Sequence, residues 1–205
     1  MIEKIDYPDG MPVKIQLLNI KEYPWHAHND IQIVYVLRGE LELKLTYTAY
    51  RLPENSIHFI HSDDVHGFQS LTEDNRVILI KINMEYFRDF FPNLDTQIFT
   101  TKINENASAY KQQLLLKSYI FVMISELYKK VPGYQKRVKD IAMDLMNALY
   151  RNFRGFTVNR EEKIIEHKVS HDLLQMDRIS RVVSFVYANY PYKLSLSSIA
   201  SDENI

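Results

Sequence analysis

The stretch WHAHNDIQIVYVLRG, residues 25–39, decides how this chain folds. His26, His28 and Gln32 share a parity, so on a strand of period two their side chains leave one face, while the apolar run 31–37 fills both faces of a buried strand. Three polar ring or amide groups are thereby aimed into one interior. A second stretch, NSIHFIHSDDVHGFQS at 55–70, brings His66 after another alternating segment. A barrel or sandwich that pairs the two stretches gathers His26, His28, Gln32 and His66.

The two stretches resemble the two motifs of the cupin family. The first motif reads HxH, three residues, Glu, six residues, Gly; here His26, His28, Gln32 and Gly39 stand at that spacing, with glutamine in place of glutamate. The second reads Gly, five residues, Pro, x, Gly, two residues, His, three residues, Asn, and those positions hold Asn55, His61, Asp63, His66 and Ser70. Spacing and histidine survive; the glycines, the proline and the asparagine do not. That pattern resembles the cupin domains of AraC-type transcription regulators, and the resemblance implies a cupin β-barrel that senses a small molecule.

Composition narrows the alternatives. A chain of 205 residues with 46% hydrophobic content buries one good core and a second small one. There is no cysteine, which excludes a disulfide framework and thiolate metal sites. A formal net charge of −1 is not the strongly basic balance of a free-standing nucleic-acid-binding domain. No apolar run reaches membrane-spanning length and the N-terminus lacks signal-peptide features, so a cytoplasmic protein with no membrane partner is expected. With 5 glycines and no phosphate loop, G-x-S-x-G or H-E-x-x-H, the sequence predicts neither an enzyme nor a cofactor.

Along the chain, residues 1–10 read as an irregular arm, and strands are expected at 13–20, 41–47, 50–52, 57–61, 68–71 and 76–82. A short helix over 83–91 and a crossing segment over 94–103 follow. Helices over 108–131 and from 134 to about 153, separated by Pro132-Gly133 and stopped at Gly155, form an antiparallel hairpin. The fold class is therefore α+β: a cupin-like β-barrel or sandwich, then the hairpin, then the first helices of a helix-turn-helix domain. The expected divisions are an effector-binding domain at 1–103, a dimerisation region and linker at 104–170, and an incomplete DNA-binding domain at 171–205.

The first long helix is apolar on more than one face, which predicts a homodimer with Tyr119, Met123, Leu145 and Leu149 in its interface. The alternative is that a third helix, at 160–168 or 177–190, covers it. Residues 177–190 are amphipathic and end in Asn189-Tyr190; Leu196 and Ile199-Ala200 follow. This layout resembles the opening of the AraC-type DNA-binding domain, whose recognition helix lies further on. The resemblance implies the sensory half of a longer regulator, contacting DNA through the full-length protein.

Three readings compete for the polar cluster. As effector contacts, His26, His28, Gln32 and His66 hydrogen-bond the hydroxyls or carboxylate of a small polar metabolite such as a sugar, with Trp25 or Tyr35 stacking on it. As structure, they cap strands and fix loops, the role given to His58 and His61. As metal ligands, His26, His28, Gln32 and His66 supply three imidazoles and a neutral oxygen, a weaker set than one containing glutamate. They rank in that order. The runner-up function is a metal-dependent cupin enzyme, a dioxygenase or isomerase. A third is a regulator whose pocket is filled by Phe59 and Phe68 and whose input is a protein partner.

Overall fold

The computed structural model describes residues 2–101 and 107–157. The expected helices and domain start at 158–205 lie outside the described residues. In chain order the strands are β1 (Val13–Leu18), β2 (Glu22–His26), β3 (Ile31–Arg38), β4 (Leu41–Leu45), β5 (Thr48–Leu52), β6 (Ile57–Ile60), β7 (His66–Ser70) and β8 (Arg76–Ile82). There follow α1 (Met84–Phe87), β9 (Gln97–Phe99), α2 (Ala107–Lys129), α3 (Tyr134–Asn152) and β10 (Arg154–Thr157).

Two antiparallel four-stranded sheets face each other, ordered β1-β8-β3-β6 and β2-β7-β4-β5. This is the α+β, cupin-like architecture. Strand β3 is buried on both faces, and the two parities serve different cores. Val34 and Val36, with Val77, Leu79 and Ile60, meet Leu41, Leu43, Leu52 and Phe68 between the sheets. Ile31, Ile33 and Tyr35, with Ile78, Ile80, Ile82 and Phe59, turn outward and meet the helices. The near-continuous apolar reading of 31–37 follows from a sheet covered on both sides.

The helical hairpin supplies that outer cover. Leu116, Ile120 and Met123 of α2, and Val138, Ala142, Leu145, Met146 and Leu149 of α3, are all fully buried in the core they share with β3 and β8. Met123, Leu145 and Leu149 thus face the chain's own core rather than a partner, and Tyr119 is partly buried against the same core. The helix surface left exposed carries Leu114, Leu115, Phe121, Val122 and Tyr128.

Several boundaries differ from the reading of the sequence. Residues 25–39 are not one strand: β2 ends at His26, and the chain crosses at a corner to the other sheet, where β3 begins at Ile31. The corner is held by backbone hydrogen bonds, from Glu3 N–H to the Ala27 carbonyl at 2.8 Å and from Asp63 N–H to the His28 carbonyl at 2.9 Å. The strand expected to end at Tyr47 stops at Leu45, because the hairpin turn places Tyr47 in solvent. Helix α1 is one turn, capped by Asn83, whose side chain accepts from Tyr86 N–H at 3.1 Å. Gly155 does not end α3 but lies in β10, which pairs antiparallel with β9.

The degenerate turn positions of the second motif keep the backbone their glycines would have had. Asn55 and Asp63 stand at φ 69° and 67°. Asn and Asp are the side chains that best tolerate that left-handed region. Gly39, at φ 79°, has no such latitude: a Cβ there would lie 2.6 Å from the Asp74 carbonyl oxygen.

Candidate functional site

Corner and sheets together bring the three histidines into contact. His26 ends β2, His66 opens β7 directly opposite it, and His28 sits in the corner. Ring centroids are 4.1 Å apart for His26 and His66, 5.1 Å for His28 and His66, and 5.7 Å for His26 and His28. One nitrogen from each ring lies within 4.8 Å of the others, and all three rings are buried. Gln32, fully buried on the inward row of β3, closes the group.

Each ring is oriented the same way. Nδ1 of His26, His28 and His66 lies 2.9, 3.0 and 2.8 Å from the carbonyls of Pro24, Asp30 and Asp64. A carbonyl only accepts, so Nδ1 carries the proton and donates, and the lone pair of a neutral ring is on Nε2. Burial drives His66 down to about 4 against the pull of its Asp64 hydrogen bond, and it lowers His26 as well. Both rings are therefore neutral at pH 7. Their Nε2 atoms are buried with no hydrogen-bond partner.

Gln32 Oε1 lies 3.0 Å from His28 Nε2, two acceptors in contact if that ring is neutral. Turning the amide end for end lets its NH2, otherwise buried and unpartnered, donate to that nitrogen. The site is then a set of inward lone pairs. It suits a hydrogen-bond donor or a cation.

Two further residues complete the site. Glu3, in the N-terminal arm, places Oε2 3.4 Å from His26 Nε2 and 2.6 Å from Lys81 Nζ. Lys81, 1% exposed, pairs across from Gln32 on the inward row of β8. Burial would raise the Glu3 carboxyl, but the hydrogen bond and charge of Lys81 outweigh it and hold the group below its ordinary range. The Tyr23 ring lies 4.8 Å from His26. A lysine in step with Val77 and Leu79 on an apolar strand was a readable sign; nothing in an irregular arm pointed to Glu3.

Other candidates are placed elsewhere. Tyr35 faces the helices: its ring meets Phe121 edge-on, Lys117 lies over it, and its hydroxyl donates to Asn55 at 3.2 Å. Outward parity puts it on the opposite side of β3 from Gln32. Trp25 is half exposed and is not brought into the histidine cluster. Phe68 does lie against His66, at 5.7 Å, whereas Phe59 packs on Phe99 and Phe153 under the helices. His61 accepts from Phe99 N–H at 2.9 Å and so fixes β9 to the end of β6. The Tyr50 and His58 rings are 4.9 Å apart.

The donor set also fits a divalent transition-metal ion. Metal-binding imidazoles present one nitrogen to the ion and have the other N–H held by a carbonyl or carboxylate. All three rings here hold Nδ1 on a carbonyl, and Nε2 of His26 and of His66 has no hydrogen-bond partner while that of His28 meets Gln32. Residues 20–97 match the family model described as the AraC-like ligand binding domain. That stretch is an AraC-like ligand-binding domain. It contains every histidine of the cluster and ends at the start of β9. No curated protein matches the chain.

Solved structures similar to parts of the chain include cupins. A cupin-2 domain protein from Shewanella frigidimarina is 19% identical over 35% of this chain and 71% of its own, at a TM-score of 0.33. The DMSP lyase DddQ from Ruegeria pomeroyi is 18% identical over 36% and 39%, at 0.33. An oxalate decarboxylase from Bacillus subtilis is 15% identical over 36% and 22%, at 0.34. Among the described residues no helix is long and apolar enough to cross a membrane.

Proposed function

We propose that the AraC-like domain is the input site of a ligand-responsive transcription regulator, and that a small polar ligand binds at His26, His28, Gln32 and His66. The observation that carries the reading is the pair of buried, unpartnered acceptor nitrogens of His26 and His66. A fold whose only task is to be stable does not leave such groups unpaired without cost. A hydroxylated metabolite, a sugar among them, satisfies both lone pairs. DNA contact is assigned to the regulator's helix-turn-helix domain.

The mechanism follows from the arm. Residues 2 and 3 are zipped along Ala27, between His26 and His28, by a parallel bridge and by the Glu3 N–H hydrogen bond. A ligand that changes what the cluster holds changes how well the arm docks, and it shifts the regulator between states only by its difference in affinity for them. A second copy of the chain is the partner proposed for α2. Leu114, Phe121 and Tyr128 recur every seven residues on its exposed side, flanked by Leu115 and Val122, a spacing suited to packing against an identical helix.

The test is thermal unfolding against a panel of sugars, polyols, amines and organic acids in the presence of chelator. A saturable rise with one hydroxylated compound, lost in His66→Ala, is the expected result. Flat responses across the panel would sink the metabolite reading. The second reading, a metal-dependent cupin enzyme, is favoured by the common orientation of the three imidazoles. They would hold a dication that supplies Lewis acidity to a substrate oxygen. Turnover lost with His28→Ala would move that reading first.

A further inference from the structure

We propose that Glu3 is the carboxylate ligand of a divalent transition-metal site whose other ligands are His26, His28 and His66, and that Lys81 occupies the Glu3 oxygen when the metal is absent. The inference rests on the second reading of the histidine cluster, as a metal centre, and names the carboxylate that completes it.

Three observations converge on Glu3. Nε2 of His26 carries a lone pair, since Nδ1–H is committed to the Pro24 carbonyl, yet it faces Glu3 Oε2 at 3.4 Å. An acceptor nitrogen and a carboxylate oxygen at this distance repel unless positive charge lies close by. Lys81 Nζ supplies it at 2.6 Å from that same oxygen, and at 1% exposure this ammonium has been carried into the interior to do so.

The second observation is the deficit at Gln32. An amide stands where a carboxylate would balance a dication, so three neutral rings and Gln32 leave two positive charges uncompensated. Glu3 brings a carboxylate oxygen to the cluster, 3.4 Å from His26 Nε2, on a side chain that is 30% exposed. Third, its position is built rather than incidental. The parallel bridge of Ile2 to Ala27 and the 2.8 Å hydrogen bond from Glu3 N–H run the arm along the corner that holds His26 and His28. The carboxylate has moved from strand β3 to the arm.

Lys81 then becomes a competitor. One Glu3 oxygen serves either the ammonium or the metal, and an ammonium left beside a dication opposes its binding. Removing Lys81 should therefore tighten metal binding, an effect opposite to that of general damage.

Zn²⁺ and Ni²⁺ are titrated into the metal-free full chain by calorimetry, with fluorescence of the single Trp25, adjacent to His26, as a second readout. The expected result is one-to-one binding, weakened about tenfold or more by Glu3→Gln and strengthened about tenfold by Lys81→Met. In the Glu3→Gln chain, Gln32→Glu should restore affinity, which also shows that the variant is folded. Equal affinity of Glu3→Gln and the parent, or weaker binding by Lys81→Met, would overturn the proposal. Absence of metal binding at millimolar concentration would overturn it too; a metabolite shift lost in His66→Ala would then leave the input-site reading standing.

Discussion

At the residue scale, neighbouring turns respond oppositely to glycine. Asp63 sits at φ 67° in an exposed turn, so Asp63→Gly removes backbone strain at little cost in contacts. It should leave stability unchanged or raise it by up to about 1 kcal/mol. Gly39→Ala adds a Cβ 2.6 Å from two oxygen atoms at φ 79°, and should cost about 2 kcal/mol or more. Asn75 is a third case. Fully buried, it accepts from Ile20 N–H at 2.9 Å and donates to the Ile20 carbonyl at 2.7 Å, which pins the connection between β1 and β2. Asn75→Ala strands both backbone groups, with an expected loss of about 2–3 kcal/mol. Urea unfolding of the three variants checks all of these values.

At the element scale, α2 has two apolar sides with different duties. Met123 is fully buried against the sheet, so Met123→Ala should cost about 2–5 kcal/mol in urea unfolding whatever the oligomeric state. Tyr128 is 87% exposed on the other side. Tyr128→Glu should leave the monomer's unfolding midpoint nearly unchanged while converting a dimer to monomer in sedimentation velocity. A parent chain that sediments as a monomer at tens of micromolar would defeat the dimer reading. The helices were legible from three- and four-residue spacing, but which stripe faces inward was not. Both stripes of α2 are apolar, and only contact with β3 and β8 chooses between them.

At the scale of the whole molecule, the two buried imidazoles of His26 and His66 couple stability to pH. His66 is pulled to about 4 by burial and His26 is lowered as well, so the native state binds fewer protons than the unfolded chain between those values and about 6.5. Stability is fully present above pH 6.5 and is lost as pH falls through that window. The unfolding midpoint of the metal-free chain should fall from pH 7 to pH 4.5, and His66→Phe should flatten the decline. A midpoint constant over this range would show that the rings take up protons in the fold as readily as in the unfolded chain.

The sequence by itself determined the two sheets, the hairpin and the four motif residues that meet, because each depends on local periodicity and fixed spacing: alternation for β4, an apolar run for β3, helical repeats for α2 and α3. The left-handed backbone at Gly39, Asn55 and Asp63 emerged only in the fold, Asn55 and Asp63 hiding theirs behind substituted side chains. Tertiary structure decided what depends on pairing between distant segments. It split 25–39 between two sheets, turned Tyr35 away from the histidines, and joined β10 to β9. It also placed Glu3 of the arm against Lys81, 78 residues later in the chain. A carboxylate in an irregular segment has no periodicity to reveal it, and its role arises only where the fold brings a buried ammonium and an imidazole lone pair to the same oxygen.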